Sequence, residues 1–184
     1  MQKGLLLLIV IVLTTSCKKT VLDKEFSCAS SAVKGALERN EDVKKTFSIQ
    51  IPKHWKTNLF FNNLQSSIYF ADTTKQLTET VLLDITHVQK EYSFNTDFKK
   101  QLFKNDSTQQ LKALKEKEFI FFKKPAYYRV SKGFKGKYPY QIVNIYIKQN
   151  SNSTFHVKTE VYGDSLIKNR LCKAMQLINT LEIK

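Results

Sequence analysis

The chain of 184 residues is poor in the residues that loosen or crosslink a backbone, with 5 glycines, 3 prolines and 3 cysteines. So few glycines and prolines exclude long flexible linkers. The cysteines, Cys17, Cys28 and Cys172, are too scattered for a metal-ligand cluster. Arginine is scarce: Arg39, Arg129 and Arg170 are the whole set in a chain with 30 basic residues. Base-edge and bidentate phosphate recognition lean on arginine forks, so the formal charge of +14 does not indicate nucleic-acid binding. The serine-elbow, Walker and zinc-protease motifs are missing. Asp84, Glu91, Asp97 and Asp106 are scattered, with no pair to serve as acid and base. His54, His87 and His156 lack metal-ligand spacing and read as structural or surface residues. No catalytic residue, metal or cofactor is expected.

What is present is a short apolar run and a basic, core-forming remainder. Lys3 precedes the run Gly4 to Leu13, and the small residues Thr14, Thr15 and Ser16 follow it, directly before Cys17. The run is too short for a hydrocarbon core, which takes about 20 residues. It has the length and flanks of a signal peptide. A small-residue run ending in Cys resembles the lipobox of bacterial lipoproteins. That resemblance implies cleavage before Cys17 and a diacylglycerol on its thiol. The family favours Leu three places before the Cys; here Thr14 stands there, and Leu13 is one place earlier. The competing readings are an ordinary secretory signal cut near Ser16 and an uncleaved membrane anchor. With Lys18 after the anchor and no acidic run through Leu22, the lipoprotein resemblance implies an outer-membrane protein facing the periplasm. Secretion is the alternative.

The organisation expected is a signal peptide over 1–16, a tether over 17–27 and one domain over 28–184. Apolar residues make up 42% and aromatics 12%, enough for a packed core. The evenly spread lysines have two readings. One is the compositional imprint of an AT-rich genome; the other is attraction to an anionic lipid or polysaccharide. With Cys17 acylated, Cys28 and Cys172 remain as an even pair in an oxidising compartment. They are either a bridge or two separate thiols.

Periodicity gives the elements. Ala29, Ala32, Val33, Ala36 and Leu37 predict a helix over 28–39. Phe47, Ile49 and Ile51 alternate in a strand ending at Pro52. The Asn-rich stretch 58–67 reads as a turn region, followed by strands over 66–71 and 80–88. Asn95 reads as the N-cap of a helical layer running to Lys117, through Leu111 and Leu114. Strands over 126–132, 140–149 and 154–162 follow in a meander, with a strand region beginning at Phe119. Ile167, Leu171, Ala174, Ile178 and Leu181 define the last helix, with Asp164 as its N-cap. Cys172 lies off that apolar stripe, which favours the bridge.

Phe47-Ser48-Ile49-Gln50-Ile51-Pro52 with Trp55, and the closing strand, Asp164 and helix, resemble the PsbP-like fold. The resemblance covers about Phe47 to Leu181 and implies an α+β fold, an antiparallel sheet flanked by helices in an αβα sandwich. It also implies a non-enzymatic binding or assembly module; no catalytic or metal residue of that group carries over. The segment Lys132-Gly133-Phe134-Lys135-Gly136-Lys137-Tyr138-Pro139-Tyr140 clusters lysines and aromatics around two glycines. It is either a binding loop for an anionic ligand, a glycan or an envelope protein, with Lys132, Phe134, Lys135, Lys137, Tyr138 and Tyr140 as contacts, or an ordinary hairpin turn. The expected function is a non-catalytic, lipid-anchored envelope protein. Alternatives are a soluble secreted binder of an anionic ligand, lipid or glycan, and an enzyme.

Overall fold

The structure is a computed structural model that describes residues 19–29, 33 and 35–184. The expected signal peptide, the expected anchor site Cys17 and Lys18 lie outside the described residues, as do parts of the helix expected over 28–39.

The first described element is a helix where a tether was expected. Helix α1 spans Val21–Glu25 and is closed by a capping box between Thr20 and Asp23. Leu22 is fully buried in the main core, so the segment is docked on the domain. Residues 37–39, expected to finish a helix, belong instead to strand β1 (Leu37–Glu41). Pairing with β2 (Phe47–Pro52), from Leu37↔Pro52 to Glu41↔Ser48, overrides the local helical spacing. Strand β2 buries Phe47, Ile49 and Ile51 and exposes Gln50, as its alternation requires.

The expected turn region over 58–67 is instead most of a hairpin, β3 (Lys56–Phe61) and β4 (Gln65–Ala71). Its turn is narrow because Asn62 Oδ1 accepts from the N–H of Leu64 and of Gln65, at 2.9 and 3.0 Å. Strand β5 (Leu82–Val88) follows. Helix α2 (Thr96–Thr108) is capped by Asn95, which accepts from Phe98 N–H at 3.0 Å. It stops nine residues short of the expected Lys117. Gln110 turns the chain at φ 54°, and Lys112–Phe121 becomes strand β6. The short helical stripe of Leu111 and Leu114 is overruled by pairing with β7 (Lys124–Lys135), which satisfies the β6 backbone. Strand β8 (Tyr138–Lys148) is joined to β7 by a two-residue turn that is tighter than the expected 133–139, with Gly136 at φ 61°. Strand β9 (Thr154–Tyr162) completes the meander.

Gly163 then turns the chain at φ 76°, with the side chain of Thr78 3.0 Å from where a Cβ would sit. Helix α3 (Ile167–Ile178) begins after Leu166, not at Asp164. Leu166 adopts φ 49° and offers no side-chain cap. The turn is held instead by Arg170, whose guanidinium donates to Tyr162 O at 2.8 Å and to Ser165 O at 2.5 Å. Strand β10 (Glu182–Ile183) ends the chain.

The strands form a seven-stranded antiparallel sheet, β3-β4-β5-β9-β8-β7-β6, and a small sheet, β1-β2-β10. One face of the large sheet carries Ile68, Phe70, Leu83, Ile85, Val143, Ile145, Phe155 and Val157 into a dry core closed by the small sheet, α1 and α3. The other face meets α2, where Leu102 packs on Tyr127 and Tyr146. Helices thus flank the sheet on both sides. Cys28 and Cys172 are joined by a disulfide that ties the end of the α1 segment to α3 across 144 residues.

Candidate functional site

The hairpin singled out in the sequence is divided by strand geometry. Side chains alternate across the sheet, so Lys135 and Tyr140 turn toward its second face, while Phe134 is exposed and Lys137 lies at the turn over the Tyr138 ring. Lys132 is exposed on β7. Tyr140 is buried and its hydroxyl donates a hydrogen bond to Glu160 at 2.5 Å. Lys135 Nζ lies 3.4 Å from Glu160 and 5.1 Å from the Tyr140 ring centre. Tyr69 donates to the same carboxylate at 3.0 Å. Burial alone would raise the Glu160 carboxyl; the bonds from Tyr140 and Tyr69 and the charges of Lys158 and Lys135 outweigh it and hold it below the ordinary range. Tyr140 is pushed up by burial and by the same carboxylate.

The register extends this pattern across six strands. Tyr69, Asp84, Lys158, Asn144, Arg129 and Glu116 stand in one row. Lys158 reaches Asp84 at 3.4 Å and Glu160 at 3.6 Å. Arg129 holds Asp106 of α2 at 2.8 Å and also bonds Glu116. His156 shares a 2.8 Å hydrogen bond with Asn144 and stacks on Tyr146; burial lowers it to about 4. The groove over this row holds about 270 Å³, and its charges answer one another.

The second cavity is different. It holds about 350 Å³ between the turn after β2, the β4–β5 link and the start of α3. Trp55, Asp72, Lys75, Glu79, Arg170 and Lys173 line it, three cations against two carboxylates. Trp55 is 4% exposed and its indole N–H has no acceptor among the described residues. Arg170 is 8% exposed; its Nη1 donates to Thr80 O at 3.0 Å as well as to Tyr162 O, but its Nε–H likewise lacks an acceptor. Burial lowers the Arg170 guanidinium, with the charges of Asp164 and Glu79 opposing. Lys173 Nζ sits 5.0 Å from the Trp55 ring centre and is also lowered by burial. Asp72 is committed elsewhere: its carboxylate takes Thr74 at 2.6 Å and faces His54 at 3.6 Å. Burial would raise Asp72, but Thr74, His54 and Lys173 hold it low. The uncapped first turn of α3 borders the same space through Leu166 and Asn169. Two residues whose buried donors lack acceptors among the described residues, Trp55 and Arg170, thus line a cavity that the first turn of a helix borders.

Sequence reading did not find this cavity. In the sequence Trp55 stands out only as part of the fold resemblance, and Arg170 only as one of three arginines. A usable signal was that scarcity. In a lysine-rich chain each arginine is a fork: Arg39 bonds Ser48 and Glu182, Arg129 bonds Asp106 and Glu116, and Arg170 clasps three carbonyls. Among the described residues no group of three His, Cys, Asp or Glu side chains is placed to hold a metal ion.

No protein-family model matches the chain, and no curated protein matches it by sequence. Solved structures do match in fold. The Saccharomyces cerevisiae Ran-binding protein Mog1p aligns with a TM-score of 0.55 at 8% identity, covering 82% of this chain and 96% of that one. The cyanobacterial PsbP protein (CyanoP) of Synechocystis aligns at 0.55 and 10% identity, covering 85% and 97%. A Pseudomonas aeruginosa protein of unknown function aligns at 0.51 and 11%, covering 82% and 99%. The chain has the α+β fold of these proteins, an antiparallel sheet flanked by helices. At such identities the likeness describes the fold alone.

Proposed function

We propose that this chain is a non-catalytic binding module held in the cell envelope by an acyl group on Cys17, and that its ligand site is the cavity between Trp55 and α3. The observation that carries the binding reading is the pair of buried donors, Trp55 Nε1 and Arg170 Nε, left without acceptors in residues that line one cavity with Lys173. Buried donors are ordinarily satisfied, so an acceptor from outside the chain is the natural occupant. A carboxylate or phosphate group fits that set, with Lys75 at the rim. The non-catalytic reading is supported by the second face of the sheet, where Glu160 and Asp106 are each held by several donors. The precedent for a protein partner on this fold is Mog1p, which is a Ran-binding protein.

The chain has a single tryptophan, so its emission reports the cavity directly. Titration with inorganic phosphate or acetate at constant ionic strength is expected to change that emission saturably. Lys173→Gln, which leaves the Arg170 clasp intact, is expected to weaken the response at least tenfold. A flat titration with both anions would remove the cavity as a ligand site. The anchor is tested separately. Cys17→Ser is expected to abolish lipoprotein processing and membrane attachment; unchanged processing and an unchanged membrane fraction would sink it. A soluble mature protein starting near Cys17 would make the chain the secreted binder instead.

A further inference from the structure

Strand β3 is the outer strand of the large sheet and carries the most concentrated exposed apolar surface of the described residues. Phe60 is 57% exposed, Phe61 64% and Leu64 63%, and Leu59 lies beside them. Asn62 N–H bonds Gln65 O at 2.9 Å, which fixes the phase of the hairpin. In an antiparallel pair the bonded residues alternate, so Asn62, Phe60, Asn58 and Lys56 turn their backbone groups toward β4. The N–H and C=O groups of Thr57, Leu59 and Phe61 then face outward, where the sheet has no further strand. The small sheet reaches β3 through side chains, with Thr57 Oγ1 donating to Asn40 Oδ1 at 3.3 Å.

The charges around this edge have one sign to spare. Lys44 Nζ bonds Asn63 O at 3.0 Å at the hairpin tip, with Lys45 next to it. Lys90 follows Gln89, whose N–H bonds Leu64 O at 2.8 Å. Lys56 is exposed on β3 itself. Three nearby carboxylates are engaged: Asp42 accepts from the Thr46 and Phe47 amides, Glu41 bonds Lys184, and Glu91 pairs with Lys148, which leaves Glu38 of β1 against the four lysines.

We infer that β3 is a docking edge for an extended segment of a partner protein, one that alternates apolar with acidic residues and adds to the sheet as an eighth strand. Main-chain bonds to Thr57, Leu59 and Phe61 supply affinity, the exposed aromatics take alternate side chains, and the lysines select acidic neighbours. A second copy of this chain is disfavoured because antiparallel β3–β3 pairing brings the lysine-ringed tip of one copy toward Lys56 of the other. A lipid surface is disfavoured because hydrocarbon offers no partners for the outward backbone groups.

The test is selection from a displayed library of random ten-residue peptides against the folded mature chain. Enriched peptides are expected to alternate apolar with acidic residues and to bind more weakly as salt rises. Leu59→Pro removes one outward N–H and leaves the bonds to β4 in place; it is expected to weaken these peptides more than tenfold. Methylating alternate peptide nitrogens is expected to do the same, without altering the protein. No enrichment, or equal binding by methylated peptides, would overturn the inference. A concentration-dependent dimer lost in Leu59→Pro would assign the edge to a second copy. Binding to phosphatidylglycerol vesicles that is lost in Phe61→Lys, without peptide binding, would assign it to lipid.

Discussion

The two edges of the large sheet follow opposite rules. Strand β6 alternates lysine and glutamate over 115–118, and those four charges are occupied. Lys115 Nζ donates to Glu25 O at 2.8 Å, and Lys117 pairs with the Glu25 carboxylate at 2.6 Å. Glu116 bonds Arg129, and Glu118 pairs with Lys99 at 2.8 Å. Charged side chains along an edge deter strand addition, and α1 and α2 also brace this one. Strand β3, six positions away at the opposite end of the sheet order, has bare backbone, exposed aromatics and spare lysines. Edge protection is therefore local. It is built at one side of the sheet and withheld at the other, which is where a partner strand has access.

The largest expected effect comes from breaking the protected edge at its root. Arg129 is buried and joins β7 to Asp106 of α2 and to Glu116 of β6. Burial would lower its pKa, but Asp106 and Glu116 outweigh that and keep it charged. Arg129→Met leaves the buried Asp106 with only Ser131 as a side-chain donor from the sheet, and removing one partner of such a pair costs about 3–5 kcal/mol. Urea unfolding should show this loss, with β6 amides exchanging faster than those of β3.

The disulfide comes next. It fixes the segment after α1, and Glu25 of α1 clasps β6. Cys172→Ser is expected to cost about 2–4 kcal/mol and to loosen β6 while leaving β3 unchanged. Unchanged exchange along β6 would mean that α1 does not brace this edge.

The smallest effect is the clasp itself. The Lys117 hydrogen bond is the leading reason that Glu25 sits below its ordinary value, with burial opposing it and Tyr128 adding a second bond. A carboxylate lowered in the folded state contributes stability that is present above its unfolded value of 4.5 and is lost as pH falls through the folded value. Lys117→Ala should cost under about 1 kcal/mol at neutral pH, because Lys117 is half exposed and screened. In thermal melts the gap between variant and parent should close on acidification below pH 4.5.

Much of the fold was legible in the residues. Alternation located β2 and the β7–β8–β9 meander, and the stripe Ile167, Leu171, Ala174, Ile178 located α3, because burial of one face imposes those periods. Where expectation failed, pairing had overruled local pattern. Residues 112–117 and 37–39 carry helix-forming spacing, yet each lies beside a strand that fills its backbone bonds. The Asn-rich 58–67 stretch looked like a turn because only Asn62 and its neighbours are one; the flanking residues are strand by virtue of β4. Of the candidate loop, only Lys135 and Tyr140 converge on Glu160, since Lys132, Phe134 and Lys137 fall elsewhere along the alternation.

By itself the sequence determined which segments are apolar on one face, that two cysteines remain for pairing once Cys17 is set aside, and that lysine dominates the surface. Those properties depend on composition and local period. Tertiary structure alone decided that Trp55 and Arg170, 115 positions apart in the chain, share a cavity with unsatisfied donors. It also decided that Leu59, Phe60 and Phe61 lie on an outer strand while Lys115 and Lys117 guard the other. Cavities and edges are set by which strand ends beside which, and strand order is a product of long-range pairing that no local window contains.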